Sequence, residues 1–179
     1  MSAPRWRWGD RRSAREELIA ANRGFAAGFD KGDLHTTPAK PAVLRTCIDA
    51  RVDPTRMFGL EIGDTHVIRN TGGRATEDAL RSLLISSWLL GTREFLVLHH
   101  TDCGMTKFTD EVLAGMVKDA TGEDLSDREF LSFSDLDQSV RDDVELIRAE
   151  RRRLPEGVTV SGHVYDVRSG SIREVVPAG

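Results

Sequence analysis

The chain has 179 residues, of which 30% are charged and 39% hydrophobic, and its formal net charge is -4. These values are typical of one soluble globular domain, and the negative charge argues against nucleic acid as the main partner. No apolar run approaches the roughly 20 residues that span a bilayer, and no secretory signal pattern follows the basic start, so we expect a cytoplasmic protein with no membrane segment.

The chain opens with a basic segment that contains Trp6 and Trp8 among several arginines. We expect residues 1–16 to form an N-terminal arm that is either solvated or packed on another subunit, because acidic residues interrupt the positive charge. Apolar residues at helical spacing predict an amphipathic helix over 13–28, which ends at Gly28. The connector over 29–41 is broken by glycine and proline.

The central part of the chain alternates strands with helices. Apolar runs predict strands over 42–48, 65–69 and 94–100. The pair Asp53-Pro54 is typical of a helix start. The sequence Asn70-Thr71-Gly72-Gly73 indicates a turn, and a helix with a buried stripe is predicted over 76–90, stopped by Gly91.

The C-terminal part predicts two more helices and a hairpin. A helix capped by Thr109 runs to about 121, and a charged helix is predicted over 137–153. Between them, the acidic segment 122–135 carries aromatic residues that we expect to cover an apolar surface. Strands over 158–167 and 172–176 are predicted to pair through a turn at 168–171. The predicted fold is therefore a single α/β domain over 1–179, with a central mostly parallel sheet, an antiparallel edge strand and flanking helices.

Two segments carry residues suited to metal chemistry, and each follows an apolar strand. Cys47, Asp49 and Arg51 come at and after the end of the first strand, whereas His100 closes a later strand and Cys103 comes three residues after it. If the backbone stays extended past Cys47, these first three side chains project to one side, because strand side chains alternate. Carboxyl ends of parallel strands are where open α/β sheets bind ligands. Two thiolates and one imidazole suit zinc, and three protein ligands leave a fourth position open, as in a catalytic site. We therefore predict a Zn²⁺ site formed by Cys47, His100 and Cys103.

The alternative is that the two cysteines are inert core residues, which is common in small domains. Both of them, however, lie at strand ends beside charged groups rather than inside the apolar runs. A chain with only two cysteines also lacks a framework of several disulfides. Either motif alone is a weak signal, but the two together favour the metal site.

At these residues the sequence resembles the β-carbonic anhydrase family, and in particular its small, actinobacterial-type subgroup. The resemblance extends from about residue 17 to the end and is most specific over 43–105. Two positions depart from the family pattern, namely Thr71, where alanine is usual, and His99, where glycine is usual. The motifs that carry the resemblance are Cys47-x-Asp49-x-Arg51, His100-x-x-Cys103-Gly104 and the segment Val67-Ile68-Arg69-Asn70-Thr71-Gly72-Gly73.

The resemblance implies the reversible hydration of carbon dioxide to bicarbonate by a zinc-bound hydroxide, because zinc lowers the pKa of a bound water to near 7. It also implies a homodimer or a dimer of dimers. We expect Asp49 to orient the nucleophile and Arg51 to hold the Asp49 carboxylate, although in some family members this Asp ligates the metal instead. The backbones of Gly104 and Gly72 are expected to lie close to the substrate.

Other readings of the same residues remain open. The site could hydrolyse carbonyl sulfide or carbon disulfide, or belong to a zinc-binding regulatory protein without activity. A more distant alternative is metal-free thiol chemistry at Cys47 beside Arg51, but no phosphate-wrapping backbone follows. We expect His99 to be structural or to support a ligand, and we assign no catalytic role to His35, His66, His163 or Asp102.

Overall fold

A computed structural model of the chain describes residues 13–179, and these fall into two units divided between Leu34 and His35. The first unit contains helix α1 (Ala14–Ala27), which starts at a capping box between Ser13 and Glu16. Residues 1–12 of the predicted arm lie outside the described part. The arm over 1–16 and the single domain over 1–179 therefore stay predictions.

The second unit is an α/β structure. Its strands are β1 (Ala42–Cys47), β2 (His66–Asn70), β3 (Glu94–His100), β4 (Thr159–Tyr165) and β5 (Ile172–Val176). Its helices are α2 (Pro54–Met57), α3 (Glu77–Leu89), α4 (Asp110–Thr121) and α5 (Leu136–Ala149), and 3₁₀ turns lie at Thr71–Gly73, Gly104–Thr106 and Glu150–Arg153.

The strand order β2-β1-β3-β4-β5 places the site-bearing strands next to each other. The pairs β1–β2, β1–β3 and β3–β4 are parallel, and β5 pairs antiparallel with β4 at the edge. The chain leaves β1 for β2 on one side and returns to β3 on the other, which opens a crevice at the carboxyl ends of β1 and β3. The predicted fold class is confirmed.

The core lies between the sheet and helices α3 and α5. Strand residues that include Val43, Phe95 and Val97 form one buried cluster with Leu83 of α3 and Val144 of α5. Strands β1 and β3 are buried along nearly their whole length, as expected of parallel strands covered on both faces. This core fixes the positions at which the two ligand-bearing strands end.

The helix starts follow the capping residues in the sequence. Asp53, Thr76, Thr109 and Asp135 each accept a hydrogen bond from a backbone N–H in the first turn of the helix that follows. Helix α5 starts one residue earlier than predicted and ends at Ala149, where a 3₁₀ turn replaces the predicted last helical residues.

Among residues 13–179, no helix is both long enough and apolar enough to span a membrane.

Candidate metal centre

The three predicted metal ligands meet at the carboxyl ends of β1 and β3. Cys47 is the last residue of β1, His100 is the last residue of β3, and Cys103 follows the short loop after β3. Their ligand atoms all lie within 4.8 Å of one another, and all three residues are buried. The prediction that these three side chains converge is therefore confirmed.

The imidazole of His100 is oriented as a metal ligand. Its Nδ1–H donates to the carbonyl oxygen of Thr101 at 2.9 Å, which leaves the lone pair of the neutral ring on Nε2. Nε2 is buried and has no hydrogen-bond partner among residues 13–179. A buried nitrogen acceptor that faces two thiols is the donor set that a thiophilic divalent cation satisfies. The residues therefore fit a metal ion.

The two sulfur atoms lie in different electrostatic surroundings. The thiol of Cys103 donates to Cys47, and the backbone N–H groups of Asp49 and Gly72 also point at the Cys47 sulfur, so the pKa of Cys47 falls to about 4. The same contact, together with burial, raises the pKa of Cys103. Burial lowers the pKa of His100, but the contact with Cys47 and its charge, the Thr101 carbonyl oxygen and the charge of Asp49 together outweigh burial and raise that pKa. Cys47 is therefore the sulfur more readily present as a thiolate, which is the form that binds a metal.

Asp49 and Arg51 form a two-pronged ion pair at the rim of this group. Arg51 Nε donates to Asp49 Oδ1 at 3.0 Å, and Nη2 donates to Oδ2 at 2.8 Å. This pair lowers the pKa of Asp49 to about 2 and raises that of Arg51. Asp49 Oδ2 also lies 3.8 Å from His100 Nε2. The carboxylate is thus ionised, oriented and close to the ligand group.

The pairing arises from a turn rather than from the alternation of an extended strand. Strand β1 ends at Cys47, and the Val52 N–H donates to the Asp49 carbonyl oxygen, which closes a turn. Within that turn the Arg51 N–H donates to Asp49 Oδ1 at 2.9 Å. The expectation that Asp49 and Arg51 face each other because the strand continues was therefore wrong in its reason, since a local Asx turn brings them together.

The two predicted glycines differ in their surroundings. Gly72 has a φ of 73°, which strains any residue with a side chain, and a Cβ there would also lie 3.0 Å from a Met105 side-chain carbon, so the position favours glycine. Its backbone N–H points at the Cys47 sulfur. A Cβ at Gly104 would meet no heavy atom within 4 Å. Protein packing therefore leaves space beside Gly104, and its substrate contact stays a prediction.

Apolar side chains surround the sulfur atoms. Cys47, Cys103 and Met105 form a buried cluster, and Phe108 and Phe133 pack against it. A cavity of about 500 Å³ lies beside the cluster, lined in part by Thr71, Met105 and Phe108. The expectation that the aromatic residues of 122–135 cover an apolar surface holds for Phe133.

Asp110 holds the segment 130–132, next to Phe133, in place by hydrogen bonds. Its carboxylate accepts hydrogen bonds from three successive backbone N–H groups, those of Phe130, Leu131 and Ser132, at 2.7–3.1 Å. Leu131 has a φ of 62°, which is rare for a side chain of this type. The sequence offered no signal for this contact, because Asp110 reads as an ordinary residue in the first turn of α4.

His99 faces away from the ligand group and belongs to a buried charged network. Its Nδ1 lies 2.8 Å from Ser139 Oγ, and its Nε2 lies 3.0 Å from Asp143 Oδ2. Arg45, at 2% exposure, lies 3.5 Å from the same carboxylate and donates to the Gly73 carbonyl oxygen. His99 was expected to be structural or to support a ligand, and its contacts agree with a structural role. The pairing of Arg45 with Asp143 was not predicted from the sequence. A charged residue inside the apolar β1 strand could have indicated a buried ion pair.

The other histidines lie apart from the ligand group. His66 Nδ1 lies 2.7 Å from Ser86 Oγ, and His163 Nε2 lies 3.0 Å from Ser161 Oγ. His35 is exposed. Asp102 forms ion pairs with both Arg51 and Lys107.

The carbonic anhydrase family model matches residues 42–126, which contain all three ligands. β-Carbonic anhydrase 1 of Mycobacterium tuberculosis is 40% identical over 168 residues, which cover 90% of this chain and 98% of that protein. The chain belongs to the β-carbonic anhydrase family. A crystal structure of carbonic anhydrase from Streptococcus mutans superposes with a TM-score of 0.87 at 39% identity, covering 92% of this chain and 99% of that one.

This β-carbonic anhydrase is also similar in sequence to a carbon disulfide hydrolase of Saccharolobus solfataricus. It is 33% identical over 154 residues, which cover 73% of this chain and 75% of that protein. The family assignment made from the cysteine and histidine motifs is confirmed. The small actinobacterial-type subgroup stays a prediction.

Proposed function

We propose that this chain is a zinc-dependent carbonic anhydrase that hydrates carbon dioxide reversibly to bicarbonate. The observation that carries the proposal is the convergence of Cys47, His100 and Cys103, with a buried imidazole nitrogen that has no hydrogen-bond partner in the described part of the chain. Two sulfur donors and one nitrogen donor favour zinc over the harder cations. The family membership supports the reaction.

A bound zinc ion would supply a hydroxide nucleophile near neutral pH. The residues of the chain then provide orientation and a dry pocket. Because the pKa of Asp49 is about 2, its carboxylate accepts a hydrogen bond at neutral pH and does not take up a proton. The apolar side chains of Met105, Phe108 and Phe133 limit the water around the site. Carbon dioxide needs little more than an oriented nucleophile in such a pocket.

Arg51 keeps the carboxylate of Asp49 in place. Both oxygens of Asp49 accept hydrogen bonds from Arg51, which is the geometry of a strong, charge-assisted pair. A carboxylate occupied in this way is less available as a metal ligand. The pairing therefore supports a resting state in which the fourth metal position is left for water and substrate. Gly104 and Gly72 are proposed to bring the backbone close to the bound anion.

A second candidate keeps the site and changes the substrate to carbonyl sulfide or carbon disulfide. The specific observations are the apolar cluster around the sulfur atoms and the similarity to a carbon disulfide hydrolase. Initial rates on carbon dioxide, carbonyl sulfide and carbon disulfide, measured on one preparation, separate the two candidates. Faster turnover of a sulfur-containing substrate would replace our first proposal.

We further propose a homodimer, or a dimer of dimers, in a reducing compartment such as the cytoplasm. Trp88 and Leu89 at the end of α3 are 62% and 76% exposed, and apolar surface of this kind is typical of subunit interfaces. Both cysteines are free, and the site needs them as thiolates, which a reducing compartment maintains. Light scattering coupled to size exclusion measures the subunit number.

The test of the main proposal is stopped-flow carbon dioxide hydration with zinc content measured on the same sample. We expect one zinc per subunit and activity in the wild type, and loss of both in Cys103→Ala. Ser126→Ala, in an exposed loop, serves as the control and should keep both. Full activity without the thiol would refute the metal assignment, whereas bound zinc without any hydration would indicate an inactive binding protein.

A further inference from the structure

Arg51 is held by two carboxylates, of which Asp49 is only one. Its Nη1 donates to Asp102 Oδ2 at 2.9 Å, and its Nη2 donates to the Asp102 carbonyl oxygen at 2.9 Å. Two of the four hydrogen bonds made by the Arg51 side chain therefore go to Asp102. The guanidinium group bridges the loop after β1 and the loop after β3.

The conformation of Asp102 suits this contact. Its φ of 53° lies in the left-handed region, which Asp and Asn adopt more readily than other residues that carry a side chain. In that conformation both the carboxylate and the carbonyl oxygen accept hydrogen bonds from Arg51. Asp102 also forms an ion pair with Lys107, whose Nζ lies 2.9 Å from Asp102 Oδ1. Four charges of alternating sign thus run from the metal centre to the surface.

We propose that Asp102 is a positioning residue that keeps Arg51 on Asp49 and thereby keeps Asp49 oriented at the metal centre. This inference rests on the proposed function only for its consequence in catalysis, since the contacts stand by themselves. Arg51 is 47% exposed, so solvent competes for its hydrogen bonds. A guanidinium group that is hydrogen-bonded to Asp49 alone can rotate away from it when those bonds break. One that is also hydrogen-bonded to Asp102 must lose the bonds to both loops before it can rotate.

Asp102→Asn removes the negative charge of the side chain and keeps its shape. Asn also tolerates a positive φ, so the turn before Cys103 is expected to keep its backbone and the metal ligands to stay in place. The matched control is Asp78→Asn, because Asp78 is an exposed carboxylate that pairs with a single arginine, Arg81, on helix α3. Zinc content should equal that of the wild type in both variants.

Three measurements test the role of Asp102. The kcat/KM for carbon dioxide hydration should fall about fivefold in Asp102→Asn, the size expected when one exposed charge contact is lost. In an Arg51→Ala background the same change should alter kcat/KM by less than about twofold, because Asp102 acts through Arg51. In ¹⁵N NMR of the protein as purified, the Arg51 Nε–H, assigned with Arg51→Lys, should exchange with water several-fold faster in Asp102→Asn.

The outcomes separate this inference from the proposed function. If the wild type hydrates no carbon dioxide, the proposed function fails, while the NMR measurement still tests the hold of Asp102 on Arg51. Unchanged exchange at the Arg51 Nε–H in Asp102→Asn overturns the inference. An equal fold loss of activity with and without Arg51 overturns it as well, because Asp102 would then act by another route.

Discussion

Breaking the buried network around Asp143 by removing its one carboxylate should cost a large part of the stability of this fold. Asp143, at 2% exposure, faces His99 Nε2 at 3.0 Å, Arg74 Nε at 3.3 Å and Arg45 Nη1 at 3.5 Å. Burial alone would raise the pKa of Asp143, but the hydrogen bond to His99 and the charges of the two arginines lower it. The carboxylate is therefore ionised and serves three partners at once.

Replacing Asp143 with Asn removes the negative charge and keeps the volume. Arg45 is then left as a buried cation whose Nε and Nη2 already lack hydrogen-bond partners among the residues that the structure describes. Breaking a buried pair by removing one member costs about 3–5 kcal/mol. Because the Arg45–Asp143 distance is long for a hydrogen bond and Arg74 is partly exposed, we expect the lower end, about 3 kcal/mol of the free energy of unfolding.

Urea unfolding of metal-free protein, followed by circular dichroism at a fixed protein concentration, measures this loss. Asp142→Asn is the control, because Asp142 directly precedes Asp143 on the same helix but is exposed, and it should change the free energy of unfolding by less than about 0.5 kcal/mol. The double variant Asp143→Asn/Arg45→Met should be more stable than Asp143→Asn alone, because no buried charge is left unpaired.

The pH dependence follows from the direction of the shift. The folded state lowers the pKa of Asp143 below its ordinary value of 3.8, so its contribution is fully present above that pH and is lost as the pH falls through the folded value. The stability difference between wild type and Asp143→Asn should therefore be constant from about pH 5 to 7 and should shrink below about pH 4. A difference under about 0.5 kcal/mol at pH 7 would refute the account of the network.

Three further changes test other parts of the structure. Gly162→Ala would place a Cβ 2.5 Å from Val140 Cγ1, so we expect a loss of about 1–3 kcal/mol in urea unfolding, and an unchanged midpoint would contradict the close approach of α5 to β4. Asp110→Asn weakens the hold on the amides of residues 130–132, which should exchange hydrogen several-fold faster by mass spectrometry while the β3 amides serve as the internal control. Chelation of the metal should lower the unfolding midpoint of the wild type but leave that of Cys103→Ala unchanged, and equal shifts in both would argue against the assigned site.

The sequence predicted those parts of the fold that depend on local patterns. Apolar runs located the strands, capping residues located the helix starts, and the placement of Cys47, His100 and Cys103 at strand ends located the metal centre. The contacts that escaped prediction join residues far apart in the chain. Arg45 meets Asp143, and Arg51 meets Asp102, through positions that only the assembled sheet brings together.

The Asp49–Arg51 pair shows how a correct expectation can rest on the wrong structure. Asp49 and Arg51 are two positions apart in the sequence and opposite in charge, and strand alternation was the simplest way to place them on one side. The chain turns immediately after Cys47 instead, and the Asp49 side chain itself stabilises that turn. Whether a strand continues or turns depends on such side-chain contacts, which periodicity does not encode.

The metal ligands come from two strands that are neighbours in space but are separated in sequence by all of β2 and α3. Because side chains alternate along a strand, a slip of β1 against β3 by a single residue would turn one donor away from the others. Capture of the ion therefore reports that the central pair has reached its native register. During refolding, the time course of zinc uptake would therefore measure how fast these two strands reach their native alignment.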